Sequence, residues 1–184
     1  MCIHPAHLLL ILPIMPYPEA MVAPMREELT RIGVEELTDA DAVDAAFADA
    51  ADKTVLLVIN SVCGCAAGNA RPAVAMASQL DVQPDEYVTV FAGQDLEATE
   101  RVRENHLAGI PPSSPFIALF KDGQPVYIIE RKHIEGRSAN AIANDLKTAF
   151  EAYCNGDVPS DAPSSPPPQQ SASSGLPSSF QSFS

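Results

Sequence analysis

Residues 54–73 read TVLLVINSVCGCAAGNARPA. The first part, Thr54 to Asn60, is an unbroken run of β-branched residues and leucine, the pattern of a strand buried on both faces of a sheet. Ala66 to Leu80 then reads as helix, with Gly68 and Pro72 predicting an irregular or kinked first part. Between strand and helix stand Cys63 and Cys65, separated only by Gly64. Two thiols that close together at such a junction admit three readings: a redox pair, half of a metal site, or inert buried cysteines.

The flanking sequence alternates. Pro24 to Ile32 places Met25, Leu29 and Ile32 at helical spacing, with Pro24 at a first-turn position and Gly33 as the stop. Val34 to Leu37 predicts a short strand, and Asp39 to Asp52 a helix capped by Thr38 or Asp39, with Val43 and Phe47 on one face. Downstream, Tyr87 to Ala92 reads as a strand and Asp95 to His106 as a helix capped by Asp95. Phe116 to Phe120 and Val126 to Glu130 flank KDGQP, whose Asp122–Gly123 pair predicts a tight hairpin. Ser138 caps a last helix carrying Ile142, Leu146, Phe150 and Tyr153 on one face. The order predicts an α/β fold: a central mixed sheet, parallel in its βαβ part and antiparallel at the hairpin, with helices on both faces.

At 184 residues the chain suffices for one domain with a proper core. Its net charge is −13, of which Asp157 and Asp161 near the C-terminus contribute two. That surplus argues against a nucleic-acid partner, which needs concentrated Lys and Arg. It suits either a protein kept dispersed in a salty cytoplasm or an ordinary acidic one. No apolar run is long enough to span a membrane. Only Cys2, Cys63, Cys65 and Cys154 occur, far below the density of a secreted disulfide scaffold, which points to a reducing, cytoplasmic setting.

The ends differ from the middle. Residues 1–20 hold a short apolar stretch, Leu8 to Ile14, with no Lys or Arg ahead of it and no small-residue cleavage site behind. They are expected to form an irregular arm, or to lie upstream of a start at Met15 or Met21. Residues 21–154 are the expected folded domain. From Asn155 to Ser184 the chain is dominated by Pro, Ser, Gln and Gly and is expected to be disordered, because it cannot bury enough apolar surface to offset its ordering entropy. Phe180 and Phe183 in that tail are candidates for a docking motif, although isolated aromatics in tails more often do nothing.

Cys63 opens a helical segment, where unpaired N–H groups and the helix dipole favour an anion such as a thiolate. A stabilised thiolate means more nucleophile at neutral pH. Cys65, two positions on, is placed to attack any mixed disulfide formed on Cys63 at high effective concentration. Gly64 tolerates the backbone angles that closing so small a disulfide ring demands, so an exchanging pair is expected in place of a staple. A zinc site would need four ligands, with Cys154, His106 or His133 converging on the pair.

Pro115, in PPSSPFIALF, precedes a predicted strand. A cis Ser114–Pro115 bond there would present the Ser114 backbone to a substrate chain like an added strand; a plain loop proline is the other reading. His133 reads as a surface or loop histidine, and Glu130 with Arg131 as a solvated charge pair.

The element order, the Cys-Gly-Cys at a strand-to-helix junction and the proline before the hairpin together resemble the thioredoxin-like fold. More narrowly, PMREELTRIGVEELT, NSVCGCAAGNARPA, VTVFAGQD, PPSSPFIALFKDG and IERKHIEGRS resemble the bacilliredoxin family, over about Pro24 to Cys154. The resemblance implies a thioredoxin-like three-layer sandwich that reduces mixed disulfides between proteins and bacillithiol, a low-molecular-weight thiol of some bacteria, with disulfide isomerase activity also attributed to members. It implies Cys63 as nucleophile and Cys65 as resolving thiol, and Pro115 matches the family's loop proline facing the active site; together with the backbone arguments above, Gly64, Ser114 and Pro115 are the expected substrate-binding residues. The implied partners are S-bacillithiolated client proteins, bacillithiol as thiol co-substrate and a disulfide reductase, without metal or nucleotide. The arm and the Pro/Ser tail are not part of that resemblance. A general disulfide isomerase or reductase, and a non-catalytic metal-binding or adaptor protein on the same fold, are the alternatives.

Overall fold

The computed structural model describes residues 16–156 and 158–167. At its centre lies β2 (Thr54–Asn60), all seven residues buried. It pairs in parallel with β3 (Glu86–Phe91) and antiparallel with β4 (Phe116–Lys121). β1 (Glu35–Glu36) joins β3 in parallel, and β5 (Gln124–Ile129) joins β4 antiparallel, giving the order β1-β3-β2-β4-β5.

Because strand side chains alternate, β2 feeds two cores. Leu56 and Val58 pack with Leu29 of α1 (Glu19–Thr30), Val74 of α3 (Arg71–Ala77) and Leu146 of α6 (Ala139–Tyr153). Val55, Leu57 and Ile59 face the opposite way, onto Val43 of α2 (Ala40–Asp49) and Ala98 of α4 (Leu96–Arg101). Helices cover both faces of a mixed sheet, which is the thioredoxin-like arrangement the sequence predicts. Asp39 and Ser138 cap α2 and α6 through their side chains, accepting from Ala42 and Ala141 N–H. Asp122 and Gly123 both have positive φ, 51° and 72°, the backbone of a type I′ hairpin turn.

Three expectations need correction. The first helix starts at Glu19, so Pro24 lies inside it and the folded domain begins before residue 21. Glu19, Ala20, Met21 and Ala23 are good helix formers, and the fully buried Val22 anchors their turn against the cost of the proline. Asp95 stands at the N-cap of α4 but makes no capping bond with its side chain. Its carboxylate accepts from Phe91 N–H at 3.0 Å and from Arg26 Nη1 and Nη2 at 2.9 and 2.8 Å. A bidentate ion pair with a guanidinium outweighs a single cap bond from a backbone N–H. Arg26 also bonds Glu36 and lies 5.2 Å from the Phe91 ring centre, tying α1 to β1 and β3.

The third correction concerns the tail. Gly156 and residues 158–167 pack on the domain: Ser164 O accepts from Ile128 N–H at 2.9 Å, the Tyr153 hydroxyl donates to Pro163 O at 2.9 Å, and Lys121 Nζ donates to Gly156 O at 3.0 Å. Pro166 is buried. A proline-rich chain has little backbone freedom to lose and offers carbonyls to an edge strand whose N–H groups lack partners. Residues 1–15, Phe180 and Phe183 lie outside the described residues. Truncation after Asn155 is expected to lower unfolding free energy by about 1–3 kcal/mol, read as a shift in urea midpoint; an unchanged midpoint would mean that these contacts carry no stability.

Candidate active site

The register sets Ile59 opposite Phe116, so the end of β2 and the loop before β4 share one rim of the sheet. β3 ends at the same rim, where Ala92 N–H donates to Asn60 O at 2.9 Å. Beyond Asn60 the chain turns, and the Cys63 carbonyl accepts from Ala66 and Ala67 N–H at 3.1 and 3.2 Å, so Cys63 occupies the capping position of the following helical segment. The expected irregularity is a π-helical turn over Ala66–Ala70 in place of a kink, with Arg71 N–H reaching back to the Ala66 carbonyl. Pro72 has no N–H to continue a tighter pattern there.

Both Cys63 and Cys65 are free thiols and half-buried. Cys63 Sγ receives three contacts: Cys65 Sγ at 2.8 Å, Ser61 Oγ at 3.2 Å and Ala66 N–H at 3.4 Å. Partial burial pushes the Cys63 thiol up. The hydrogen bonds from Cys65, from Ser61 and from the Ala66 and Cys65 N–H groups outweigh it, and the net direction is down. Cys65 moves the other way. Burial raises it, donating its proton to Cys63 raises it further, and so does the neighbouring negative charge, with only partial relief from the Arg131 guanidinium. The two thiols are therefore tuned in opposite directions, Cys63 toward ionisation and Cys65 away from it.

The Ser114–Pro115 bond is cis. Its loop is held from two sides. Arg103 Nη2 donates to Ser113 O while its guanidinium lies 4.8 Å from the Phe116 ring centre. Arg131 N–H, in the short helix α5 (Arg131–Ile134), donates to Ser113 Oγ at 3.4 Å. Open depressions of about 230 and 310 Å³ flank this loop, the first lined by Arg103 and Ser114, the second by Arg131 and Glu135. Gly64 is exposed and outside the left-handed region, and an added Cβ would meet nothing within 4 Å, so the dithiol form itself makes no demand for glycine there.

The other candidates lie apart. Cys154 sits beside Thr54, at the far end of β2, with its thiol pushed up by burial. His106 stacks on Phe47 at 3.8 Å, and His133 Nδ1 accepts from Glu130 N–H at 3.2 Å within a capping box. Among the described residues no three His, Cys, Asp or Glu side chains group as they would around a metal. Glu130 and Arg131 do not pair with each other: Glu130 pairs with Lys132 and Arg131 with Glu135. The sequence reading missed Ser61, Arg71, Arg103 and Arg131. Arg71 alone carried a signal, being the sole cation between Lys53 and Arg101 and set among alanines.

A thiol pair with split proton affinities next to a cis-proline loop is the equipment for thiol–disulfide exchange. The sequence profile of the disulphide isomerase family matches residues 17–154. A bacilliredoxin of Salinibacter ruber is 70% identical over 171 residues, covering 92% of this chain and 99% of the relative. The chain belongs to the bacilliredoxin family. A bacilliredoxin of Koribacter versatilis is 51% identical over 75% of this chain and 94% of its own length, and one of Staphylococcus aureus 49% over 75% and 93%. A solved structure described as having a thioredoxin fold aligns at TM-score 0.43 and 15% identity, over 60% of this chain and 91% of that one. As a bacilliredoxin-family protein the chain is a thiol–disulfide oxidoreductase. Among the described residues no helix is long and apolar enough to cross a membrane.

Only the thiolate alkylates, so the rate at Cys63 rises with pH through its thiol pKa and then levels off. The half-maximal point is expected below the ordinary thiol value of about 8.5, measured by site-resolved mass spectrometry with iodoacetamide. Cys65→Ala removes the largest favourable hydrogen bond and should move that point up, and Ser61→Ala should move it up by less. An unmoved midpoint in Cys65→Ala would show that the sulfur contact does not set Cys63 reactivity.

Proposed function

We propose that the protein removes bacillithiol from S-bacillithiolated client proteins. In this reading the Cys63 thiolate attacks the bacillithiol sulfur of the client's mixed disulfide. The client–bacillithiol S–S bond breaks, a Cys63–bacillithiol disulfide forms, and the client leaves as a thiolate that takes a proton from water. Once Cys63 is in a disulfide, its negative charge no longer opposes ionisation of Cys65, while Arg131 still favours it. Cys65 loses its proton to solvent and displaces bacillithiol from Cys63, leaving a Cys63–Cys65 disulfide. A disulfide reductase supplies two electrons and two protons to restore the dithiol; alternatively a second bacillithiol resolves the adduct and departs as bacillithiol disulfide. Bacillithiol acts as co-substrate, and no metal or nucleotide enters.

Gly64, being exposed, leaves the approach to both sulfurs open. Ser114 and Pro115, on the rim that β2 and β4 share, are the surface on which the client chain lies. The observation that carries the reading is the opposed tuning of two sulfurs 2.8 Å apart, because it gives the attack and the resolution an order. A second reading, general disulfide isomerisation, draws on the description of the matching family.

The test follows release of low-molecular-weight thiol from one client loaded with bacillithiol, glutathione or cysteine. Bacillithiol release is expected to be fastest, Cys63→Ser to abolish it, and Cys65→Ser to accumulate a Cys63 mixed disulfide or keep partial turnover. Full turnover in Cys63→Ser would overturn the mechanism. Equal release of all three thiols, together with reactivation of a misbridged protein, would favour isomerisation.

A further inference from the structure

Arg71 carries a guanidinium into the interior at 2% exposure. Its Nε and Nη2 donate to Glu28 of α1 at 2.8 and 3.3 Å. Its Nη1 donates to Asn60 Oδ1 at 3.0 Å and to the Ser61 carbonyl at 3.2 Å. Asn60 Oδ1 in turn accepts from Ser61 N–H at 2.8 Å, and Asn60 Nδ2 donates to Met25 O at 3.2 Å. Both main-chain groups of Ser61 are thus occupied, its carbonyl by Arg71 directly and its N–H through an asparagine that Arg71 orients. Its hydroxyl is left to donate to Cys63 Sγ.

We infer that Arg71 is a positioning residue for the thiol chemistry: by clamping the backbone of Ser61 it holds the Ser61 hydroxyl on the Cys63 sulfur. Desolvating a guanidinium is costly, and a buried ion pair can often be replaced by apolar side chains without loss of stability. Here the planar fork does what an apolar side chain cannot, bonding Glu28 on one edge and Asn60 and Ser61 on the other. Rigidity matters because a serine hydroxyl reorients easily, and one hydrogen bond to a thiolate favours the charged form only while the donor stays aimed. Arg71 donates to neither sulfur, so it acts through Ser61.

This inference rests on Cys63 being the attacking thiol, and its test separates the two. The full chain is alkylated with iodoacetamide across a pH series, and the Cys63 rate is resolved by mass spectrometry in Arg71→Met, Arg71→Lys, Glu28→Gln, Ser61→Ala and the doubles of each with Ser61→Ala. Arg71→Met is expected to slow Cys63 alkylation at neutral pH by about three- to tenfold, through an upward shift of the midpoint with the high-pH plateau unchanged. Arg71→Lys keeps the charge but loses the fork, and is expected to behave as Arg71→Met. In the Ser61→Ala background neither substitution should slow the reaction further.

Should Arg71→Met fail to fold, Glu28→Gln, at a half-exposed partner, is expected to shift the midpoint the same way by about twofold in rate and to lose that effect in Ser61→Ala. The inference is overturned if a folded Arg71→Met, or Glu28→Gln, leaves the midpoint in place. It is equally overturned if the effects multiply with that of Ser61→Ala, or if Arg71→Lys titrates as the parent does. Turnover surviving Cys63→Ser would instead remove the nucleophile assignment and leave the Arg71 cycle readable.

Discussion

A strand buried on both faces leaves its middle to apolar side chains and confines polar ones to its ends, and this constraint on β2 places everything else. Its residues from Val55 to Ile59 supply both cores, so chemistry can begin only where the strand stops. At that point Asn60 turns its amide onto Met25, Ser61 and Arg71, and the chain leaves the sheet carrying Cys63. The antiparallel neighbour β4 starts at the same level, which brings the cis-proline loop to the same rim. The core thereby delivers two loops distant in sequence to one place.

The reactive sulfur is served mainly by neutral donors: a thiol, a hydroxyl and a backbone N–H. Such donors follow the sulfur's charge only if they are aimed, and aiming them is what the buried polar layer beneath does. Arg131, a half-exposed cation on α5, acts on both sulfurs at longer range. In the exchange proposed above, Cys65 draws on that cation once its partner's charge is gone, and the same few groups serve both steps.

Much of this was legible in the residues. TVLLVIN matches β2 end to end, Asp122–Gly123 made the hairpin, and Asp39 and Ser138 capped their helices. The sulfur pair stood out because its motif is local and its chemistry depends on neighbours two residues apart. What stayed hidden depends on contacts across long separations. Asp95 abandoned its cap for an arginine 69 residues away, and Arg71 bonds Glu28 from 43 residues away. Arg131 reaches the proline loop from 18 residues away, across the β4–β5 hairpin, and Arg103 from ten, both too far for a local motif to report. The tail up to residue 167 was misread because composition reports how little apolar surface a segment can bury, not whether its carbonyls find waiting N–H groups; the rest of it lies outside the described residues.

That tail has a bearing on how molecules of this protein meet one another. With Ser164 seated on Ile128, the outer side of β5 is already occupied by its own chain, and a second copy cannot extend the sheet there without first evicting it. At the opposite margin β1 is just two residues long, too short an edge to template another strand. Strand exchange between copies is thus discouraged at both margins of the sheet, by the tail on one side and by the shortness of the edge on the other.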